Sequence, residues 1–269
     1  MSSIVTEQGI LHYETLGRGA PVILLHGWIN SWDVWRESMI YLATEKSYRV
    51  YALDFWGFGA SASSNGDAFD IQSYSAMVAQ FIDRLGIRNA PIIGHSMGGT
   101  VALNFGLKYP SLTTKIGIVG SPIQGSSLNF FLKLSGYGWI ANLVWKYPVL
   151  RDIVMQLILA QDSAKIKEML LRDVQRANME SFFKSIGDLR HTDLREDLKQ
   201  IESPILGVFG KKDNIVSPVN AHTLLGLRPD ASVTVMEHSR HFPMLDESEK
   251  FLKVLTCFLE SEIPEVEIP

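Results

Sequence analysis

Short apolar segments alternate with helical patterns along most of this chain, and this alternation constrains the fold more than any other feature. The segments are rich in Val, Ile and Leu, and most have apolar residues on both faces, as in strands covered by helices on both sides. They are 10–16, 21–26, 47–54, 91–95, 115–120, 204–210 and 232–237. Helical spacing predicts helices over 71–85 and 97–109. The chain is therefore predicted to form a mainly parallel α/β sheet, with an antiparallel start formed within 4–16.

The alternation stops in the middle of the chain, where no clear strand pattern is found. Successive helical patterns occupy this part instead, and they are 128–134, 139–145, 149–160, 166–175 and 179–189. The simplest organisation is an α/β core formed by 1–121 and 201–269, with 122–200 inserted as a helical block.

The composition supports a globular protein and argues against several classes of function. Of the 269 residues, 46% are apolar, which is enough to form a large buried core. A net charge of -4 argues against a nucleic-acid surface, which would need a basic face. The single cysteine, Cys257, excludes an intramolecular disulfide and a cysteine metal cluster, and we expect it to be buried. Residues 1–10 lack the regions of a signal peptide, and 128–160 is too interrupted by charges for a membrane span, so a cytoplasmic location is expected.

The most informative motif is the G-x-S-x-G run from Gly94 to Gly98, which lies between a predicted strand and a predicted helix. A sharp strand-to-helix turn would hold Ser96 in a strained backbone conformation above the edge of the sheet. Glycine is needed at both ends of the motif, because side chains there would collide. Ser96 would also lie at the N-terminus of the following helix, where amide dipoles favour negative charge. These features make Ser96 the candidate nucleophile.

A serine hydroxyl is a poor nucleophile without a base and an orienting carboxylate. His241 is the candidate base, because it lies in the loop after the last predicted strand, where sites in open parallel sheets are found. His238 lies in the same loop, closer to the strand, and is the alternative base.

The candidate acid is Asp213, which follows the predicted strand 204–210. It gives the chain order Ser, Asp, His that a hydrolase of this sheet type has. The main rival, Asp54, is interpreted as holding the glycine-rich loop 54–59 through hydrogen bonds from backbone groups. Asp246 is interpreted as the start of the final helix.

The third requirement is an oxyanion hole, for which two backbone N–H groups are candidates. One belongs to Met97, the residue after the candidate nucleophile. The other belongs to Trp28, because Gly27 lets the preceding loop bend toward the site.

These residues make the chain resemble the α/β-hydrolase fold superfamily, in the branch of esterases, lipases and C–C hydrolases with a helical cap. The matching segments are 26–27, 54–59, 94–98, 210–213 and 241–243. The resemblance implies a mostly parallel eight-stranded sheet flanked by helices, with 122–200 as the cap. It also implies the roles given above for Ser96, Asp213, His241, Trp28 and Met97, and no metal or organic cofactor. Serine at the motif's centre excludes haloalkane dehalogenases and epoxide hydrolases, which have aspartate there.

The resemblance favours a serine hydrolase that cleaves carboxylic esters of apolar acyl or aromatic substrates through an acyl-enzyme. Alternatives are a C–C bond hydrolase of a ring-cleavage or β-diketone-like product and a ligand-binding receptor on the same scaffold. The partner would be a small apolar ester, with no nucleic acid and no stable membrane insertion, and the chain would be a monomer or homodimer. Aromatic residues are expected to line the substrate pocket, and the candidates are Trp28, Phe130, Phe131, Trp139, Trp145 and Phe242.

Overall fold

The computed structural model of the chain describes residues 2–63, 69–129, 147 and 163–261. Within these residues, nine strands form one mixed sheet. The strands are β1 (Ser2–Thr6), β2 (Gly9–Leu16), β3 (Pro21–Leu25), β4 (Arg49–Leu53), β5 (Ala62–Ser63), β6 (Ala90–His95), β7 (Thr113–Val119), β8 (Ile205–Gly210) and β9 (Ser232–Met236).

Eight of these strands form the main path of the sheet, in the order β1-β2-β4-β3-β6-β7-β8-β9. The pairs from β4 through β9 along this path are parallel, whereas β1 with β2 and β2 with β4 are antiparallel. The two-residue strand β5 pairs with β2 outside the path. The predicted mostly parallel eight-stranded sheet with an antiparallel start is thus confirmed. Because six consecutive strands run in one direction, the loops that follow them share one edge.

Helices connect and cover the strands. They are α1 (Arg36–Thr44), α2 (Ile71–Arg84), α3 (Met97–Lys108), α4 (Ala164–Arg176), α5 (Met179–His191), α6 (Asn220–Leu227), α7 (Pro243–Asp246) and α8 (Ser248–Glu260). Short 3-10 turns occur at Trp32–Trp35, Pro110–Leu112, Gly125–Ser127 and Asp197–Gln200. In the part of the chain that the structure describes, no helix is both long enough and apolar enough to cross a membrane.

Helix α2 shows why the sequence pattern predicted helices well. The side chain of Asp70 caps its first turn by accepting a hydrogen bond from the Ser73 N–H at 2.6 Å. The predicted apolar stripe is buried, and its Phe81 ring contacts Tyr13 and Tyr51 on β2 and β4. Burial of one face, rather than helix propensity alone, stabilises this element.

Three of the helices predicted in the insertion fall wholly or mostly outside the described residues. Predicted helices 139–145 and 149–160 lie outside the described residues. The predicted helix 128–134 is wrong at its start, because Leu128 forms an antiparallel bridge with Val216, and nearly all of the rest lies outside the described residues. The conformation of Leu128 is decided by backbone pairing with a distant segment, which the spacing of nearby apolar residues does not indicate.

The C-terminal region corrects two further predictions. Cys257 is exposed, not buried, because α8 buries the stripe containing Phe251, Leu255 and Leu259, and position 257 faces away from it. Asp246 does not start the final helix, since Pro243 begins an additional short helix that Asp246 ends.

Helices α4 and α5 pack on loops that follow β3 and β4. The indole Nε1–H of Trp28 donates to the Phe182 carbonyl at 2.9 Å, and the Ser181 hydroxyl donates to the Gly57 carbonyl at 2.8 Å. Asp188 on α5 accepts from the Ile71 N–H at 2.9 Å, which caps α2 from outside. The described part of the insertion is therefore attached to the edge of the sheet where the parallel strands end.

Candidate active site

Ser96 lies on a strained turn between β6 and α3, as the motif predicted. Its backbone has φ 52° and ψ -120°, in a region that non-glycine residues rarely adopt. The neighbouring glycines make this turn possible. A Cβ on Gly94 would lie 2.1 Å from the Gly98 carbonyl oxygen, and a Cβ on Gly98 would lie 2.5 Å from the carbonyls of Leu25 and His26. The predicted need for glycine at both ends of the motif is confirmed.

The turn provides a stability prediction with an internal control. Gly94→Ala is expected to lower the free energy of unfolding by about 3 kcal/mol or more, because the new methyl group meets backbone that cannot move aside. Gly187→Ala, in the interior of α5 with nothing within 4 Å, is expected to raise it by about 0.5–1 kcal/mol. Urea unfolding measures both. Equal changes in the free energy of unfolding for the two variants would contradict the collision expected at position 94.

His241 and Asp213 are joined directly. The Nδ1–H of His241 donates to Asp213 Oδ2 at 2.8 Å, and both side chains are almost fully buried. The other carboxylate oxygen accepts from the N–H groups of Ile215 and Val216 at 2.8 and 2.9 Å. The carboxylate is thereby fixed by its own loop, and the imidazole is held with Nε2 available for proton transfer.

The sheet topology explains how these distant residues meet. Ser96 follows β6, Asp213 follows β8 and His241 follows β9, and these strands run parallel along the path β6-β7-β8-β9. Their carboxyl ends share one edge. The loop of His241 contacts the turn of Ser96, because the Nε2–H of the neighbouring His95 donates to the His241 carbonyl at 2.8 Å.

The alternative acid and base have other environments. His238 is exposed, and its backbone N–H donates to Glu247 at 2.9 Å. Asp54 accepts from the N–H groups of Trp32 at 2.7 Å and Ala60 at 2.9 Å. The interpretation of Asp54 as the residue that holds the 54–59 loop is confirmed. Asp246 likewise holds a loop, since it accepts from the Arg240 N–H at 2.8 Å.

Asp54 also binds His12, whose Nδ1 lies 2.8 Å from Asp54 Oδ2. This hydrogen bond raises the pKa of His12 above its ordinary value. Because the pKa is raised on folding, protonated His12 stabilises the fold fully below pH 6.5, and this contribution is lost as the pH rises through the folded-state pKa. We expect the free energy of unfolding to fall more between pH 6 and 9 in the wild type than in His12→Gln. The difference should be on the order of 1 kcal/mol by urea unfolding. If the free energy of unfolding changed equally with pH in the two proteins, His12 would not be the group responsible.

The candidate oxyanion loop approaches Ser96 closely. A Cβ on Gly27 would lie 3.1 Å from Ser96 Cβ and 2.8 Å from His95 Nδ1, so glycine is required for this approach. The residue before it, His26, was not singled out as functional in the sequence. Its Nδ1–H donates to the Gly27 carbonyl, while its Nε2 accepts from the Phe55 N–H at 2.9 Å. Burial lowers the pKa of His26, which keeps the ring in this neutral form. The loop that carries the Trp28 N–H is thus anchored to the 54–59 loop.

The candidate pocket residues are only partly described. The Trp28 ring packs on Phe182, with ring centroids 4.4 Å apart, and Phe182 packs on Phe183 at 4.9 Å. Phe242 is buried, and its ring centroid lies 4.8 Å from that of His95 and 5.3 Å from that of His241. Phe130, Phe131, Trp139 and Trp145 lie outside the described residues. In the described ranges, no group of three or more His, Cys, Asp or Glu side chains is arranged to hold a metal ion.

Comparisons with known proteins agree with this architecture. A family model described as "alpha/beta hydrolase fold" matches residues 20–144. A hydrolase from Pseudomonas aeruginosa has a similar structure, with a TM-score of 0.83 at 19% identity, covering 97% of this chain and 98% of that one. The chain therefore has the α/β-hydrolase fold.

Two curated proteins extend the similarity over nearly the whole chain. Over 267 residues it is 27% identical to the pimeloyl-acyl-carrier-protein methyl ester esterase of Aliivibrio salmonicida, covering 94% of this chain and 97% of that protein. Over 265 residues it is 27% identical to a 2-hydroxy-6-oxononadienedioate/2-hydroxy-6-oxononatrienedioate hydrolase of Paraburkholderia phymatum, covering 93% of this chain and 90% of that protein.

Proposed function

We propose that this protein is a serine hydrolase that cleaves carboxylic esters, with Ser96 as nucleophile, His241 as base and Asp213 as orienting acid. The observation that carries the proposal is the strained turn of Ser96 at the same sheet edge as the buried His241–Asp213 hydrogen bond. A strained serine beside a fixed His–Asp pair supports nucleophilic catalysis better than a structural role.

The reaction proceeds in two halves. Ser96 Oγ attacks the ester carbonyl carbon while His241 Nε2 takes the hydroxyl proton, and Asp213 stabilises the imidazolium. The N–H groups of Trp28 and Met97 donate to the oxyanion. The intermediate collapses as His241 returns the proton to the leaving alcohol oxygen. A water molecule, deprotonated by His241, then attacks the acyl-enzyme, and the acid leaves as Ser96 regains its proton.

The insertion 122–200 is proposed to be a cap over this site. Supporting this role, α4 and α5 contact the loops that surround Ser96. Asp173 on α4 accepts from the Ser31 hydroxyl at 2.8 Å, in the segment that follows Trp28. Phe182 on α5 both stacks on the Trp28 ring and accepts its indole N–H. The cap would therefore shield the reacting ester from bulk water while it supports the oxyanion loop.

The proposed substrates are esters with an apolar acyl chain or aromatic group. The contiguous rings of Trp28, Phe182 and Phe183 support an apolar contact surface beside the candidate oxyanion loop. The similarity to a methyl ester esterase supports a small leaving alcohol and a larger acyl group.

A panel of acetyl, hexanoyl and dodecanoyl esters tests this proposal. We expect kcat/KM to rise at least about 10-fold from acetyl to hexanoyl, since each buried CH₂ contributes about 0.8 kcal/mol. A fluorophosphonate probe should label Ser96. Equal kcat/KM across the panel would overturn the apolar-substrate proposal, and absence of both turnover and labelling would overturn the hydrolase proposal.

A second candidate function is hydrolysis of a C–C bond in a ring-cleavage product. The similarity to the 2-hydroxy-6-oxononadienedioate hydrolase supports it, because the two chains align over nearly their full lengths. The test adds 2-hydroxy-6-oxononadienedioate to the ester panel. Turnover of this compound without turnover of any ester would favour the second candidate over the first.

A further inference from the structure

The turn of Ser96 carries a buried histidine that the mechanism above does not use. His95 is 0% exposed, and its ring contacts His241 and Phe242, each with a centroid distance of 4.8 Å. We propose that His95 is a positioning residue, which fixes the loop of His241 against Ser96 through a hydrogen bond to the His241 backbone carbonyl. The inference rests on the proposed serine hydrolase function.

The hydrogen-bond pattern assigns the proton on this ring. His95 Nε2 lies 2.8 Å from the His241 carbonyl oxygen, and a carbonyl only accepts, so Nε2 carries the hydrogen. Nδ1 of a neutral ring then has no hydrogen. This atom is buried and has no hydrogen-bond partner among the described residues.

His241 is consequently held at two points. Its Nδ1–H is bound by Asp213, which follows β8, and its carbonyl is bound by His95, which ends β6. A single hydrogen bond at Nδ1 would leave the backbone of the loop free to shift. The second bond comes from the residue directly before Ser96, so the base and the nucleophile are coupled through one short segment. A displacement of about 1 Å at a reacting group can cost 100-fold in rate.

The energetics of the buried ring support this role over simple packing. An apolar ring at position 95 would fill a similar volume without a buried unpartnered nitrogen, whose loss of hydration is unfavourable. What histidine adds is the Nε2–H donor to the His241 carbonyl. Burial, followed by the nearby His241, also lowers the pKa of His95 well below its ordinary value. His95 therefore stays neutral while His241 takes up the Ser96 proton.

Two substitutions separate the hydrogen bond from the ring. His95→Gln keeps an amide N–H at nearly the same reach as Nε2 but removes the ring. His95→Phe keeps the ring and removes the donor. We expect kcat of His95→Phe to fall about 10- to 100-fold with KM within about 3-fold, because the transition state rather than substrate binding is affected. His95→Gln should stay within about 3-fold of the wild type in kcat. The rate of fluorophosphonate labelling of Ser96 should follow kcat in both variants.

Ser203→Ala is the matched control. Its hydroxyl donates to the Thr113 carbonyl at 3.0 Å, so the substitution also removes a buried donor to a backbone carbonyl, at the opposite edge of the sheet. We expect its kcat and labelling rate to equal those of the wild type.

If His95→Phe does not fold, His95→Asn replaces it. The shorter amide cannot reach the His241 carbonyl, so this variant should show the same loss of kcat.

The outcomes distinguish this inference from the proposed function. The inference would be overturned if His95→Phe kept wild-type kcat while His95→Gln lost it, because the ring would then act by packing alone. Wild-type kcat in His95→Asn would overturn it as well. Either result leaves the hydrolase proposal intact, provided that wild-type Ser96 is labelled and turns over esters. A wild type that shows neither labelling nor turnover would overturn both.

Discussion

Ser96→Ala is expected to reduce kcat/KM for the preferred ester by about 10⁵-fold or more, the range found when a serine hydrolase loses its nucleophile. The loss is this large because, in the proposed mechanism, the hydroxyl forms the covalent bond to the acyl group, and water at the same position would lack its activation. The fold should be retained, since the side chain is small and a single Oγ is removed from an already formed turn. Ester kinetics and circular dichroism measure the two effects.

The control for this substitution is Ser75→Ala on α2. Ser75 is also buried, and its hydroxyl donates to the Ile71 carbonyl at 2.9 Å within the helix. We expect this variant to keep its activity and its fluorophosphonate labelling, whereas Ser96→Ala loses both. Near-normal turnover by Ser96→Ala would mean that another group is the nucleophile.

His241→Ala is expected to lower kcat by about 10⁴-fold or more, because it removes the proposed proton acceptor for both halves of the reaction. It also leaves the buried Asp213 carboxylate without the imidazole that it binds at 2.8 Å. His238→Ala, three residues away in the same loop, should change kcat by less than about 3-fold, because that side chain is exposed.

The pair of histidine variants therefore tests the choice between two candidates that the sequence left close together. Both should be measured on the same ester, with unfolding curves to show that each is folded. A severe loss in His238→Ala with a mild one in His241→Ala would exchange their roles. If both variants lowered kcat only slightly, neither histidine of this loop would be the base.

Local features of the sequence predicted the architecture because they are tied to local physics. The apolar run that became β6 and the helical spacing that became α2 and α3 each report which faces are buried. The glycines at 94 and 98 indicated a turn in which those two positions have no room for a side chain. Chain order and the shared edge of parallel strands then indicated Asp213 and His241 as candidates.

The errors arise where the packing of a segment, rather than its residue pattern, decides its structure. Leu128 was predicted as helical but pairs with Val216, and Asp246 was predicted to start a helix but binds the Arg240 N–H. Cys257 was predicted to be buried, although the stripe that α8 buries runs along another side.

The sequence by itself determined the class of the sheet, the strained serine turn and the chain order of the candidate catalytic residues, because each is encoded in a short window of residue types and spacings. Only the tertiary structure decided which hydrogen bonds the buried histidines form. His26 bonds to Phe55, and His95 bonds to the carbonyl of His241, 146 positions away. The proton assignment and the charge of a buried imidazole depend on which groups surround it in space. No local pattern specifies those groups until the loops at the ends of the parallel strands have been brought together.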